Sequence, residues 1–263
     1  MAGRSIEDMS IAFIGAGNLA TNLAKALYRK GFRIVQVYSR TKESAQELAQ
    51  TVEAAYTTEL QAVTKEAQLY IVSLKDAAFV ELLPQIVSGK ENALWVHTAG
   101  SIPMNIWQGH VARYGVLYPM QTFSKQREVD FGQIPCFVES NSEEDVQLLK
   151  DIASALSEKV YEASSEQRKS LHLAAVFTCN FTNHMYVLAA ELLKKYGLPF
   201  EAMLPLIDET AARCMSWNRL PHRQDRLCAM MRMSLTSICG CLPMSRKCWN
   251  YIGRLARIYI GWQ

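Results

Sequence analysis

The sequence predicts an α/β protein, in which a Rossmann-like, doubly wound parallel sheet is followed by an all-helical carboxy-terminal domain. Three observations predict it. Short apolar runs alternate with helical patterns in the first part of the chain, as in parallel sheets covered by helices. A glycine-rich turn follows the first run at Gly15, and no Pro or Gly occurs between Ser164 and Tyr196. We therefore expect a sheet domain over residues 1–163 and a helical domain over residues 164–263.

The composition is that of a globular protein. The 263 residues have a mass of 29.7 kDa and are 49% hydrophobic and 20% charged, which excludes disordered, collagen-like and simple repeat proteins. No run of 18 apolar residues is present, and the polar amino-terminal residues lack the apolar core of a signal peptide. We expect no membrane association and a cytoplasmic location.

The sheet is predicted strand by strand from the apolar runs. Each run is short and rich in β-branched or aromatic residues, as buried strands are. The predicted strands cover residues 10–14, 34–38, 69–74, 94–97 and 116–118, and the predicted helices between them cover residues 19–27, 42–50 and 77–87. Gly31 is expected to end the first helix.

The carboxy-terminal domain is predicted to begin with a long helix. Ser164 and Gln167 have the spacing of a capping box, and the uninterrupted stretch to Tyr196 corresponds to about 45 Å at 1.5 Å per residue. Gly197 and Pro199 end this helix, and residues 200–213 form the next one.

The glycine-rich turn predicts dinucleotide binding. It has the form G-x-G-x-x-A directly after a strand and opens a helix, with Gly15, Ala16, Gly17, Asn18, Leu19 and Ala20. The first glycine permits the tight bend, the second lets a pyrophosphate approach the backbone, and the alanine allows close packing of helix and strand. The helix N-terminus attracts the phosphates. The alternative is that the glycines serve only a tight turn.

The end of the second predicted strand indicates NADP rather than NAD. An NAD site has Asp or Glu there to bind the ribose hydroxyls, but no acid occurs between Phe32 and Lys42. The sequence instead has Ser39, Arg40 and Thr41, and a guanidinium between two hydroxyl groups suits the 2′-phosphate of NADP. The alternative is that Arg40 is an ordinary solvated charge.

Two further loops are expected to face the cofactor, because they follow strands at the carboxyl edge of the sheet. One contains Ser73, Leu74 and Lys75, and the other contains Thr98. Their amides and hydroxyls are candidates for contacts with the ribose and the nicotinamide. His97 fits a structural histidine at a strand end as well as a catalytic residue.

Polar side chains on the long helix are the candidates for catalysis. His172 can donate a proton to a carbonyl or imine as hydride arrives, and Asn180 can orient the substrate. On a regular helix Cys179 and Asn183 lie within about 20° of His172, whereas Asn180 lies about 80° away. Alternatively, these side chains satisfy buried backbone groups or line a dimer interface. Cys136 and Cys179 are expected in the core, and no metal-ligating cluster stands out in residues 1–213.

A third segment after a predicted strand has two interpretations. Residues 118–124 mix hydroxyl groups with aromatic rings. They either border the substrate pocket or form a plain connecting loop.

The last 50 residues differ from the rest of the chain. Residues 214–263 carry eight Lys and Arg but one acid, Asp225, and five of the seven cysteines. A zinc site is disfavoured because a single residue separates Cys239 and Cys241, and nucleic-acid binding because the basic residues are scattered. We favour out-of-frame translation of this segment. In a frame shifted by one base, the codons of residues 217–218 give Glu, and those of residues 223–231 permit Thr-Gly-Pro-Ala-Val-Arg-Tyr-Asp.

Several of these segments together resemble a bacterial family without an assigned reaction, in which a Rossmann-like NADP-binding domain precedes a helical domain of unknown function. The resemblance covers residues 8–213 and rests on residues 11–20, 38–41, 97–101, 117–124 and 172–176 with Asn180. The family is similar in plan to pyrroline-5-carboxylate reductase and the 6-phosphogluconate dehydrogenase superfamily. Its members continue with a Thr-Gly-Pro-x-x-Arg-x-Asp segment, which the shifted frame permits.

The resemblance implies NADP as cofactor and a homodimer formed through the helical domain. It also implies that catalytic side chains lie on the first long helix, which points to His172 and Asn180. The Lys-x-x-x-Asn spacing of the related superfamilies is absent, since Val176 stands where the Lys would be.

These observations predict an NADP-dependent oxidoreductase that transfers hydride between nicotinamide and a small carbonyl or imine bound between the domains, or a deazaflavin. No nucleic-acid partner is expected. The alternative is a non-catalytic NADP(H)-binding module that senses redox state, because the sequence shows no clear Lys or Tyr proton donor.

Overall fold

Eight strands form one sheet within residues 6–215, the part of the chain that the computed structural model describes. In chain order they are β1 (Ser10–Ile14), β2 (Arg33–Tyr38), β3 (Ala55–Thr57), β4 (Leu69–Val72), β5 (Leu94–His97), β6 (Arg113–Pro119), β7 (Cys136–Ser140) and β8 (Val160–Glu162). Their order across the sheet is β3-β2-β1-β4-β5-β6-β7-β8. Every neighbouring pair is parallel except β6 and β7. The carboxyl ends of β2, β1, β4 and β5 therefore meet at one edge, where ligands bind in open parallel sheets.

Seven α-helices lie within the described residues. In chain order they are α1 (Asn18–Arg29), α2 (Lys42–Thr51), α3 (Asp76–Val87), α4 (Glu143–Leu156), α5 (Ser165–Ala175), α6 (Thr182–Lys195) and α7 (Leu204–Met215). Alternate side chains of β1 point to opposite faces. Ile11 and Phe13 join a buried cluster with α1 and α4, whereas Ala12 and Ile14 join a second cluster with α3. Because both faces are buried, the central strands are continuous apolar runs in the sequence.

The predicted fold class is confirmed. The five predicted strands and the three helices between them are all present, with only their ends shifted, and Gly31 follows α1 with a φ of 90°. The sheet is not parallel throughout, because β7 runs antiparallel to β6. The sequence did not predict β3, β7, β8 or α4. Two of these strands, β3 and β8, have three residues each, most of which are exposed, so they leave little apolar pattern.

The long helical run after the sheet is present, but it is not regular. The predicted capping box of Ser164 and Gln167 begins α5. A π-helical segment, Val176–Phe181, joins α5 to α6. A short turn, Phe200–Met203, precedes α7.

Packing divides the chain into two units, Met1–His184 and Met185–Gln263. The division falls within α6, so α5 and the π-helical segment belong to the unit that contains the sheet. The predicted domain limits of 1–163 and 164–263 stay predictions. The segment expected to be out of frame lies outside the described residues, apart from Cys214 and Met215 at the end of α7.

No helix within residues 6–215 is long and apolar enough to cross a membrane. The cytoplasmic location stays a prediction.

Candidate active site

The glycine-rich turn lies between β1 and α1 at the carboxyl edge of the sheet. Gly15 has a φ of 119°, and a Cβ on it would lie 2.2 Å from the carbonyl oxygen of Ser73. Only glycine fits at this position, because the backbone conformation and the neighbouring chain both exclude a side chain. Ala16 and Ala20 are buried, so α1 packs closely against the sheet as the motif requires.

Gly17 is different, because nothing in the described protein requires it to lack a side chain. A Cβ on Gly17 would meet no atom within 4 Å, and its φ of −77° is open to other residues. Gly17 is the N-cap of α1, whose first turn has neither an acidic residue nor a side-chain cap. Helix N-termini of this kind bind phosphate through their free N–H groups. The missing side chain thus leaves space at the position where a pyrophosphate binds in such turns, while Leu19 packs against the core.

The loop after β6 is tied to the same helix end. The Asn18 side-chain amide donates to the Phe123 carbonyl at 3.1 Å, and the Asn22 side-chain amide donates to the Ser124 carbonyl at 3.0 Å. Asn22 was not predicted from the sequence, where its only signal is its position one turn after Asn18. These two bonds hold the loop beside the glycine-rich turn.

The residues expected to bind the 2′-phosphate lie at the end of β2. Ser39 is half-buried, and its Oγ accepts a hydrogen bond from the N–H of Thr41, the N-cap of α2, at 3.3 Å. Arg40 is exposed, and its guanidinium forms no ion pair with an acidic side chain in the described part of the chain. A free guanidinium therefore lies next to a helix N-terminus, and both favour a bound anion.

The loop after β4 packs directly against the glycine-rich turn. The Ser73 N–H donates to the Ile14 carbonyl at 2.9 Å. The Leu74 side chain is half-buried, and a Cβ on Gly15 would meet its Cδ2 at 3.3 Å. Lys75 is exposed at the N-cap of α3. The structure thus brings residues 73–75 to the edge where the sequence predicts them.

The loop after β5 starts with two buried polar residues. The N–H and Oγ1 of Thr98 both donate to the Val72 carbonyl, at 3.1 and 3.5 Å, so this hydroxyl fastens the loop to β4. His97 is 1% exposed, and its Nδ1 accepts a hydrogen bond from the Ala99 N–H at 3.2 Å. Burial, and then the positive charge of Arg168, lower the pKa of His97 to about 3. His97 is therefore a neutral structural histidine at neutral pH.

A buried ion pair fastens the start of α5 to this loop. Arg168 is 1% exposed and pairs with Glu139 on β7. Its guanidinium also donates to the Ala99 carbonyl at 3.3 Å and to the Ile102 carbonyl at 2.6 Å. Glu139 in turn accepts from the Ser165 N–H at 2.8 Å. Neither partner was predicted from the sequence, because an Arg within a polar helical turn gives no signal that it is buried.

One turn after Arg168, His172 meets Tyr118 from β6. The Tyr118 hydroxyl lies 3.2 Å from His172 Nδ1. Gly100 packs against both rings, since a Cβ there would lie 2.6 Å from His172 Nδ1 and 2.9 Å from Tyr118 Cζ. Burial raises the pKa of Tyr118, the charge of Arg168 opposes this, and Cys179 adds to it. Tyr118 therefore holds its proton at neutral pH.

A cavity of about 300 Å³ opens beside this pair. Gln121 and Thr122 line it from the loop after β6, and His172, Cys179 and Asn180 line it from the helices. Part of residues 118–124 therefore borders a cavity, and the assignment of this cavity to the substrate stays a prediction. Among the described residues, no Lys, Arg, Asp or Glu lines this cavity.

The π-helical segment explains how Asn180 reaches the same cavity as His172. A regular helix would place them about 80° apart. Within Val176–Phe181 each hydrogen bond spans five residues rather than four, so each residue rotates by less than 100° and Asn180 turns toward His172. Cys136 is buried as expected, but Cys179 is exposed, so its expected place in the core was wrong.

The fold and the glycine-rich turn together define a Rossmann-like dinucleotide-binding protein. Residues 10–99 match the family model described as NADP oxidoreductase coenzyme F420-dependent, and residues 134–219 match a domain of unknown function. The chain is 74% identical to a Bacteroides fragilis protein whose crystal structure is described as a "putative NADP oxidoreductase" (82% of this chain and 83% of that chain covered, TM-score 0.78). The chain belongs to this family of NADP oxidoreductases.

Two more distant crystal structures are similar in fold. One is an imine reductase from Myxococcus stipitatus in complex with NADP+ (19% identity, 79% of this chain and 73% of that chain covered, TM-score 0.63). The other is a 1-pyrroline-5-carboxylate reductase from Streptococcus pyogenes (15% identity, 98% and 93% covered, TM-score 0.65). The family resemblance predicted from the sequence is confirmed. No curated protein matches the chain.

NADP is the cofactor of this family, and the residues present fit it. Gly17 leaves open the space that a side chain would fill at the N-terminus of α1. Arg40 stands where an NAD site would have an acid. In the part of the chain that the structure describes, no group of three or more His, Cys, Asp or Glu could hold a metal ion.

Proposed function

We propose that this protein is an NADP-dependent oxidoreductase that transfers hydride between nicotinamide and a small carbonyl or imine. One observation carries the proposal. His172, Tyr118 and Asn180 meet in one uncharged cavity, next to the loop that follows β5 at the carboxyl edge of the sheet. Bound NADPH supplies the hydride in such a reaction, and the chain must supply the binding groups, the orientation and the proton.

Each predicted cofactor residue has a proposed contact. The N-terminus of α1 binds the pyrophosphate, the end of β2 binds the 2′-phosphate, and the loops after β4 and β5 border the ribose and nicotinamide. The residues are Gly15, Ala16, Gly17, Asn18 and Leu19 for the first, Ser39, Arg40 and Thr41 for the second, and Ser73, Leu74, Lys75 and Thr98 for the third.

The proposed catalytic roles fall to the two helical residues predicted from the sequence. His172 is the proposed proton source, because it is the one titratable ring besides Tyr118 that lines the cavity within residues 6–215. Asn180 orients the substrate through its amide. An uncharged cavity of about 300 Å³ favours a small, neutral substrate. The names of the imine reductase and the pyrroline-5-carboxylate reductase support a C=N bond as the group reduced.

The test measures NADPH oxidation with each of two small compounds, the ketone cyclohexanone and the imine 1-pyrroline. His172→Phe is assayed beside the wild type. We expect oxidation with at least one of the two, and a loss of about 100-fold or more in the variant, the usual contribution of a general acid. Tight NADPH binding without turnover of either compound would contradict the proposal and support the redox-sensing alternative.

A deazaflavin is the second candidate substrate. The family model that matches residues 10–99 is described as coenzyme F420-dependent. A third arm of the same assay replaces the carbonyl compound by this coenzyme. If the protein reduces the deazaflavin but neither small compound, the deazaflavin is the substrate instead of a carbonyl or imine.

We also propose that the chain forms a homodimer through its helices. Large apolar side chains of α5, the π-helical segment and α6 are exposed among the described residues, including Leu173, Phe177, Phe181 and Val187. Sedimentation equilibrium should give twice the mass of one chain, and Phe177→Asp should shift it toward the monomer. A wild-type protein that sediments as one chain would contradict the dimer.

A further inference from the structure

The reduction of a carbonyl or imine needs a proton at the oxygen or nitrogen as well as a hydride at the carbon. The cavity lining within residues 6–215 offers two side chains that can give a proton from a ring system, His172 and Tyr118. They are hydrogen-bonded to each other, with the Tyr118 hydroxyl 3.2 Å from His172 Nδ1. The order in which a proton passes through the two side chains depends on whether the hydrogen of this bond is on His172 Nδ1 or on the Tyr118 oxygen.

We infer that Tyr118 delivers the proton to the substrate and that His172 replaces it from solvent. This inference rests on the proposed function. It deepens that function by adding a catalytic residue that the sequence did not point to, and by making His172 a relay rather than the last donor.

The burial of Tyr118 suits the first role. Tyr118 is 8% exposed and lines the cavity, whereas His172 is half-buried. A tyrosine in this environment keeps its proton until a substrate atom accepts it. The positive charge of Arg168 lowers the pKa of Tyr118 and so favours the phenolate that remains, whereas Cys179 raises this pKa. Arg168 thus helps to stabilise the charge that forms on Tyr118 in the transition state.

The hydrogen bond also suits the relay. When His172 carries its proton on Nδ1, the Nδ1–H donates to the Tyr118 oxygen, and the Tyr118 O–H is free to point into the cavity. His172 Nε2 makes no hydrogen bond with any described residue and is not among the buried polar atoms without a partner. Nε2 can therefore accept a proton from water.

Reduction of a ketone through this pair uses one hydride and one proton. The hydride, supplied by NADPH, adds to the carbonyl carbon, and the C=O π pair forms the new O–H bond with the Tyr118 proton. Tyr118 is left as phenolate and NADPH becomes NADP+. The Nδ1 proton of His172 then moves to the phenolate as Nε2 takes a proton from water. Both side chains are then neutral, with the His172 proton on Nε2, and exchange of ring protons with water returns His172 to its Nδ1–H form.

Gly100 keeps the two rings in this arrangement. A Cβ at position 100 would lie 2.6 Å from His172 Nδ1 and 2.9 Å from Tyr118 Cζ, which is too close for either ring to stay in place. Gly100→Ala therefore separates the pair without removing either functional group.

The first test is the tautomer of His172 in the wild-type protein with bound NADPH. Long-range ¹H–¹⁵N correlation spectra, with the His172 signals assigned from His172→Phe, report which ring nitrogen carries the proton. We expect the Nδ1–H form, and a mixture of forms in Tyr118→Phe. Protonation at Nε2 alone would overturn the inference, because Tyr118 would then donate to Nδ1 rather than to the substrate. This measurement needs no substrate, so it is separate from the test of the proposed function.

The second test is turnover of cyclohexanone and 1-pyrroline by Tyr118→Phe, with Tyr161→Phe as the control. Tyr161 is half exposed and does not line the cavity. We expect Tyr118→Phe to lose about 100-fold or more in kcat with unchanged NADPH affinity, and Tyr161→Phe to match the wild type. Gly100→Ala should also lose activity. Free imidazole should restore part of the activity of His172→Ala but none of that of Tyr118→Phe.

Full activity in Tyr118→Phe would overturn the inference, as would imidazole rescue of that variant. If the wild-type protein reduces neither compound, the proposed function fails, and the tautomer measurement alone decides how the pair is arranged.

Discussion

The glycine-rich turn and the His172 pocket lie in the same unit but are built in different ways. The turn is local. Its proposed ligand groups are backbone N–H groups at the start of α1, and within residues 6–215 neither Gly17 nor Arg40 is held by contacts that the fold needs. The pocket is assembled from distant segments. His172 contacts Tyr118 and Gly100 at the point where the buried Arg168, one turn earlier, fastens α5 to the sheet.

The difference predicts that the two regions respond differently to substitution. Changes at the exposed positions of the turn should alter nucleotide affinity with little effect on the fold. Changes in the fastening of the pocket should alter the free energy of unfolding first.

The largest effect is expected from Arg168→Met. This substitution leaves Glu139 without its partner and leaves the Ala99 and Ile102 carbonyls without a donor. Breaking a buried ion pair costs about 3–5 kcal/mol. The free energy of unfolding, measured by urea titration, should fall by that amount.

The control is Arg29→Met, which removes an exposed ion pair with Glu128. Exposed pairs contribute about 1 kcal/mol or less. Equal losses in the two variants would show that Arg168 does not fasten the pocket.

Substitution of the two glycines of the turn should also separate an effect on stability from an effect on NADPH affinity. Gly15→Ala forces a side chain into a φ of 119° and against the Ser73 carbonyl, and the backbone strain alone costs about 1–3 kcal/mol. Gly17→Ala meets no protein atom, so its cost in stability should stay within about 1 kcal/mol. Its NADPH affinity should nevertheless fall, because the methyl group occupies the space left for the pyrophosphate. Unchanged NADPH affinity in Gly17→Ala, measured by fluorescence titration, would remove the turn from the binding site.

The same difference explains what could be predicted from the sequence. The turn, Arg40 and the strands around them are local patterns, and the structure has them where they were expected. Tyr118 was noted only as part of a loop, and Gly100 and Arg168 were given no role, because their contacts join residues that are far apart in the chain. Asn180 was expected about 80° from His172, because the prediction assumed a regular helix. The π-helical segment that brings them to one cavity has no signal in the sequence.

A smaller effect is expected from pH, through His97. The pKa of His97 is about 3 in the folded protein and about 6.5 in an unfolded chain. Between these values the unfolded chain binds a proton that the folded protein does not bind. The contribution of His97 to the free energy of unfolding is therefore fully present above about pH 6.5. It falls as the pH decreases, by about 2 kcal/mol between pH 6.5 and 5. Urea titrations of wild type and His97→Gln at several pH values measure it, and an equal pH dependence in both proteins would contradict this role of His97.

The most direct test of the central claim, an NADP site built on the glycine-rich turn and Arg40, is a paired titration of the full chain with NADPH and NADH. The wild type should bind NADPH at least about tenfold more tightly, a difference of about 1.4 kcal/mol. Arg40→Ala should abolish this preference, and Arg33→Ala, which removes an exposed charge from the opposite end of β2, should keep it. Equal binding of the two nucleotides by the wild type, or a preference that persists in Arg40→Ala, would contradict the account.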